Sequence, residues 1–417
     1  MLAEEVLVMS ELLDLITIEE TEEIIEEELN LDLETEIINI REASGRVVAE
    51  NIISKIDLPP FRRSTMDGYA VKAKDTFGAT DNLPVYCDLV GEVKMGYRAQ
   101  QELEAGAAIK IPTGGMLPPW ADAVVMIEYT EVAAGMVEIT SAVAAGENIV
   151  QQGEDISRGE RLLQQGQKLR SQDIGALAGI GVTEIEVFRL SEVTIFATGD
   201  EIVAPDVTPE LAQVRDINSY SIGSLVEQLG ARVDYGGIIA DKHEELMANL
   251  EDKLATSDLV ILSGGSSVGV KDLTIEVLNQ LGEPGVLAHG VAIKPGKPTI
   301  LALIDQTLVV GLPGHPASAL VVATRMVAPL IRQLVGRTEQ EFATKIVAKL
   351  SRNLASTKGR EEYLKVSLEE TEDGLLAKPI VGKSSLITTL VKADGLVEVG
   401  LGCEGVVAGT EVEVLTF

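Results

Sequence analysis

The stretch DLVILSGGSSVG (258–269) decides the fold: a short apolar run, LVIL, is delivered into a loop of three glycines, three serines and a valine, and a helical pattern follows. Glycines after such a strand let the backbone turn its N–H groups toward an anion near a helix N-terminus. The loop departs from GxxxxGK[ST], which disfavours a P-loop nucleotide hydrolase. Outward from it the pattern alternates. VTIFA (193–197) reads as a buried strand, SIGSLVEQLG (221–230) as a helix stopped by Gly230, and YGGIIA (235–240) as a strand. A helix is expected from Asp241 to about Thr256 and another from Asp272 to Leu281. Two further apolar runs, TILALI (299–304) and LVVGLPG (308–314), precede a long helix starting near Pro316. Strands alternating with helices of this length predict a parallel, doubly wound sheet with helices on both faces, which binds ligands beyond the carboxyl ends of its strands.

The flanks have other textures. Residues 1–50 are strongly acidic with apolar residues at helical spacing, which predicts surface helices with solvated faces. From Pro59 to about Val150, short Val/Ile-rich segments are punctuated by Gly and Pro, as in a β-rich unit, and 153–169 looks like a return from that insertion. The last 80 or so residues alternate in short strands between glycine turns. The expected class is therefore α/β multidomain. A three-layer α/β/α domain with a mostly parallel sheet (189–336) is joined by a split, elongated domain (1–56 and 151–188), an inserted β-rich domain (57–150) and a C-terminal β-barrel-like domain (337–417).

With 34 Lys and Arg against 66 Asp and Glu, the formal net charge is −32, so phosphate backbones and anionic lipid surfaces are repelled. Nucleic acid and membrane are not expected partners. Cys87 and Cys403 lack CxxC or His neighbours, which gives neither zinc spacing nor a disulfide framework. No basic leader opens the sequence and no long apolar span is free of charge or glycine breaks, so the expected location is the cytoplasm.

In so acidic a chain a basic turn stands out. IKPGKP (293–298) projects Lys294 and Lys297 from a turn stiffened by proline, where phosphate could be held or where two ammonium groups are simply solvated. TGDEI (198–202) sets Asp200 and Glu201 at a strand end, suited to Mg²⁺ or substrate hydroxyls. Asp272 could ligate a metal or cap a helix. Asp241, with Glu244 behind it, and Asp216 and Asn218 in RDINS (215–219) read first as caps. GLPGHP (311–316) is a tight turn that starts a helix at Pro316. Farther upstream, DLPPFRRSTMDGYAV (57–71) packs Arg62, Arg63, Ser64, Thr65 and Asp67 into one turn, and Thr113 sits against a second glycine turn. His243, His289 and His315 stand in separate segments and suggest no histidine metal site.

Taken in order, STMDGYAV, IPTGG, GEDI, TGDEI, RDINS, SGGSSVGVKDLT, IKPGKP and GLPGHPASAL resemble the successive signatures of the MoeA family, which includes the gephyrin E domain; GREEYLKV and SSLITTLVKADGL resemble its last domain. The resemblance implies an elongated homodimer of four-domain subunits that binds adenylylated molybdopterin. It further implies Mg²⁺-dependent hydrolysis of the adenylate with insertion of molybdate or tungstate at the dithiolene, and a possible contact with the molybdopterin adenylyltransferase. Carried over by motif, the catalytic residues are Asp67, Glu201, Asp241 and Asp272. Substrate binding falls to Thr113, Ser263, Gly264, Gly265, Ser267, Lys294, Lys297, Pro313 and Pro316, and the metal to Asp155, Glu201 and Asp241. His315 and Ile217 stand where the family commonly has Asn and a small polar residue. A non-catalytic scaffold of the same fold and a pterin adenylyltransferase are the competing readings.

Overall fold

The computed structural model describes residues 15–29, 31–264, 268–338 and 345–417, and the side chains of 268–271 are not among those described. The central unit is a six-stranded sheet. Its elements are numbered here as β1 (Glu192–Thr198), α1 (Asn218–Leu229), β2 (Arg232–Ile239), α2 (His243–Leu254), β3 (Leu259–Gly264), α3 (Val268–Leu281), β4 (Pro284–His289), β5 (Ile300–Ile304), β6 (Thr307–Leu312), α4 (Pro316–Val322) and α5 (Ala328–Leu334). The order across the sheet is β2-β1-β3-β6-β5-β4. β2, β1, β3 and β6 run parallel. β5 alone runs against the rest, pairing antiparallel with both β6 and β4, so the sheet is mostly parallel as expected. Only Asp305 and Gln306 separate β5 from β6, and a parallel connection needs a crossover of about a dozen residues. Asp305, with φ +55°, closes the tight hairpin instead.

Alternate residues of each strand face opposite helical layers. Leu259 and Ile261 pack with α1, α4 and α5, whereas Val260 and Leu262 pack with α2 and α3. Both sides of β3 are thus fully buried, which is why its sequence shows no polar alternation. A short π-helical turn, Ala323–Val327, joins α4 to α5. Residues 316–334 are apolar and long enough to cross a membrane, yet two thirds of that stretch is buried against this sheet.

The helix Ile18–Glu28 is capped by Thr17, whose hydroxyl accepts the Glu20 N–H while the Glu20 carboxylate accepts the Thr17 N–H. Its acidic face is solvated as expected, but Ile18 and Ile25 pack into the core of the α/β unit. A second core gathers residues from two distant stretches, among them Ile40, Val48 and Ile52 with Leu163, Leu177 and Val187, and Thr35–Asn39 pairs with Glu184–Phe188. Between those stretches lies a six-stranded mixed sheet with apolar clusters on both faces. At the C-terminus, strands from Lys345 onward close a five-stranded barrel, since Glu361–Thr371 pairs with both Gly374–Pro379 and Gly395–Val399.

Candidate active site

Because β1 connects outward to β2 while the chain then returns to β3 on β1's other side, the strand order reverses between β1 and β3. A crevice opens there at the carboxyl ends. It is a cleft of about 290 Å³ lined by Thr198 and Glu201 after β1, Ser263 and Gly264 at the end of β3, and Gly314, His315 and Pro316 after β6. Arg215, Asp216 and Asn218, at the start of α1, and Ser385 complete the wall.

Asn218 ties these turns together. Its Nδ2 donates to Ser263 Oγ (2.8 Å) and to the Gly314 carbonyl oxygen (3.0 Å), while its buried Oδ1 has no partner among the described residues. The cap expected of Asn218 is not what it forms: it is the first residue of α1, and Asp216 caps instead, its Oδ1 accepting the Ser219 N–H at 3.1 Å. Gly264 has φ +147°, and a Cβ there would lie 1.9 Å from the Thr198 carbonyl oxygen, so β1 and β3 can meet at the cleft floor only through glycine. Across the cleft, the Ala317 N–H donates to Ser384 O and His315 Nδ1 lies 3.0 Å from Ser384 Oγ. A loop of the C-terminal barrel therefore closes the wall.

Asp241 lies two residues beyond the end of β2, the strand next to β1. Its N–H donates to Asp200 Oδ1 (3.2 Å), its buried Oδ1 has no partner among the described residues, and its carboxyl pKa is raised, by burial first and then by the charges of Asp200 and Glu201. It is not the expected cap: α2 begins at His243 without a side-chain cap, and Glu245 rather than Glu244 pairs with Lys242 (2.7 Å). Asp272 is no cap either, because α3 starts four residues earlier, at Val268, and leaves it exposed inside the helix.

Of the remaining expected site residues, Glu201, Ser263, Gly264 and Pro316 share the cleft, and Pro313 is buried just before Gly314. Gly265 and Ser267 lie outside the described residues. Lys294 does not project freely: it pairs at 3.0 Å with Glu362 of the barrel, whose other oxygen accepts from Ser356 Oγ (2.7 Å). Lys297 is half-buried, and its carbonyl oxygen accepts the Val291 N–H.

Asp67 and Thr113 are brought together, but away from this cleft. The Thr113 N–H donates to Asp67 Oδ1 at 2.7 Å and holds the exposed carboxyl below the usual carboxylate range. Asp155 is exposed in the turn whose N–H bonds the Leu58 carbonyl oxygen. The expected metal trio of Asp155, Glu201 and Asp241 is not assembled by one chain: among the described residues no three His, Cys, Asp or Glu side chains converge as a metal site. Arg215 and the Ser384–Ser385 pair were not singled out from sequence as site residues; only the nearness of Arg215 to Asp216 and the SSLI signature could have flagged them.

Fold and cleft define a doubly wound α/β enzyme domain, embedded among three smaller units, with a polar small-molecule site at its switch point. Three family models match successive parts of the chain: "MoeA N-terminal region (domain I and II)" over residues 16–181, "Probable molybdopterin binding domain" over 194–333 and "MoeA C-terminal region (domain IV)" over 347–417. The chain is 32% identical to the molybdopterin molybdenumtransferase of Haemophilus influenzae over 394 residues, covering 94% of this chain and 96% of that one. The Nostoc enzyme of the same name is 32% identical over 393 residues, covering 93% and 90%. The crystal structure of a Pyrococcus horikoshii molybdopterin biosynthesis MoeA protein superposes with a TM-score of 0.81 at 36% identity, covering 97% of this chain and 99% of that one. The chain belongs to the MoeA family and is a transferase of molybdenum-cofactor biosynthesis.

Proposed function

We propose that the chain is a molybdopterin molybdenumtransferase that takes adenylylated molybdopterin into the switch-point cleft, releases AMP and places molybdate or tungstate on the dithiolene sulfurs. The observation that carries this reading is the acidic edge of the cleft, where the unpartnered Asp241 oxygen sits beside Asp200 and Glu201. Such a cluster calls for a cation. Mg²⁺ uses one or two protein carboxylates and fills its shell with water and phosphate oxygens, so Glu201 and Asp241 fit it without a third ligand. When bound, the metal would neutralise charge on the phosphate oxygens during cleavage of the adenylate.

The chain's own groups bind and orient. Ser263 and the backbone at Gly264 approach the ligand closely because no side chain intervenes, and Asn218 keeps the β3 and β6 turns in register. Lys294 and Lys297 offer ammonium groups, that of Lys294 held against Glu362. Asp67, Thr113 and Asp155 lie off the cleft within one chain, which supports a homodimer in which a second copy supplies them; Asp272 sits outside the cleft wall on α3. The substrate would arrive from a molybdopterin adenylyltransferase.

The test is to incubate the full chain with adenylylated molybdopterin, molybdate and Mg²⁺ and follow both AMP and cofactor that reactivates an apo-molybdoenzyme. Absence of both products sinks the reading. A Glu201→Ala variant should remain folded and release no AMP.

A further inference from the structure

His315 stands on the cleft wall with Thr198, Glu201, Arg215 and Ser263. One of its ring nitrogens is engaged: Nδ1 lies 3.0 Å from Ser384 Oγ, and Ser384 is itself anchored by the Ala317 N–H on its carbonyl oxygen, also at 3.0 Å. The imidazole is therefore pinned between the β6 turn and the barrel loop. Among the other donors, Arg215 on the same wall gives its Nε to the Val207 carbonyl oxygen and keeps its Nη groups for the cleft, and the Lys294 ammonium is paired with Glu362.

We infer that His315 hydrogen-bonds a tetrahedral oxyanion in the cleft, a metal oxyanion or a phosphate monoester, through Nε2–H, and that Ser384 is the positioning residue that fixes this tautomer. A serine hydroxyl that donates to Nδ1 leaves the proton of the neutral ring on Nε2, which makes that nitrogen a donor. The inference rests on the reading that the cleft receives an anionic ligand. It assigns to the C-terminal barrel a part in binding, through Ser384.

The full chain has three histidines, His243, His289 and His315, so histidine-selective ¹⁵N labelling gives a spectrum of three ring systems, assigned with His315→Gln. The long-range ¹H–¹⁵N correlation of His315 is expected to show the Nε2–H tautomer. Titration with sodium molybdate in one arm and AMP in the other should move its Nε2 signal, leaving His243 and His289 in place, and the arm that moves it names the oxyanion. His315→Phe should weaken calorimetric affinity for that probe by about tenfold, while His315→Gln, which keeps a neutral donor, stays within about threefold. Ser384→Ala should populate the other tautomer and weaken binding. If a probe binds by calorimetry but leaves the His315 signals unmoved and binds His315→Phe as tightly, the inference fails and the cleft reading stands. If neither probe binds the unaltered protein, the cleft reading falls and the inference falls with it.

Discussion

Asp241→Asn removes one of three carboxylates crowded at the end of β2, and its consequences for stability and activity have opposite signs. Asp241 has a buried oxygen without a partner and the charges of Asp200 and Glu201 beside it. Two carboxylates about 6 Å apart in an effective dielectric of about 40, appropriate to a partly solvated site, repel by about 1.4 kcal/mol. The amide keeps the shape and still leaves one polar atom poorly satisfied, so the net gain should be about 1 kcal/mol at neutral pH. In a unit of this size that corresponds to roughly 2–4 °C in melting temperature. The pH dependence follows from the direction of the shift. The folded-state pKa of Asp241 is raised, so its contribution is fully favourable below the unfolded carboxylate pKa and is lost as pH rises through the folded value. The advantage of the variant is therefore widest at pH 7.5 and closes toward pH 4. Added Mg²⁺ should stabilise the unaltered protein more than the variant. Scanning calorimetry at the two pH values, with and without Mg²⁺, measures all of this, and AMP release should be abolished. A variant that melts lower at pH 7.5, or a difference that is the same at both pH values, would refute the reasoning.

Gly264→Ala should cost about 3 kcal/mol or more, because its Cβ would be driven to 1.9 Å from the Thr198 carbonyl oxygen at a φ of +147°; a loss below about 1 kcal/mol in urea unfolding would show that the strand ends relax. Lys294→Met leaves the buried Glu362 carboxylate without its counter-charge and should cost about 2 kcal/mol. Much of that should return in Lys294→Met with Glu362→Gln, a coupling that a double-mutant cycle in denaturant reads directly. Asp67→Asn should leave the melting temperature unchanged but speed hydrogen exchange at the Thr113 amide and lower molybdenum insertion. In the unaltered protein the depressed Asp67 pKa means that this clasp holds above the ordinary carboxylate range and is lost as pH falls through the folded value, and exchange that ignores both pH and the substitution would contradict it.

The parts of the fold legible in the sequence are those where one local signal suffices. VTIFA and LVIL announced β1 and β3 because strands covered by helices on both faces need apolar residues at every position. Gly230 stops α1 as expected, in the left-handed conformation at φ +96°. The direction of β5 was also written in the sequence, since Asp305 and Gln306 are too few for a crossover and leave one reversed strand in a mostly parallel sheet. Helix starts were misplaced for a different reason: Asp241 and Asp272 have the chemistry of caps, and the crowding of Asp241 with Asp200 and Glu201 exists only after folding. Contacts across long sequence separations left no local mark, as with Lys294 on Glu362 and His315 on Ser384.

Those last two contacts bear on how a chain of net charge −32 can bind an anion at all. A cluster of cations is not what lines the cleft: Lys294 is paired with a buried carboxylate, and Arg215, whose Nε donates to the Val207 carbonyl oxygen, brings a single charge to the wall. Neutral donors join it: hydroxyl, backbone and imidazole N–H groups act over hydrogen-bond distances, and the divalent cation proposed on Glu201 and Asp241 would supply charge only beside the phosphate. Such a site forgoes long-range attraction and does not recruit polyanions, because the acidic surface repels them before they reach the cleft. Its affinity depends on shape and on few contacts, so it should respond weakly to ionic strength. The barrel is then part of the site, because it supplies both Glu362, which restrains Lys294, and Ser384, which orients His315.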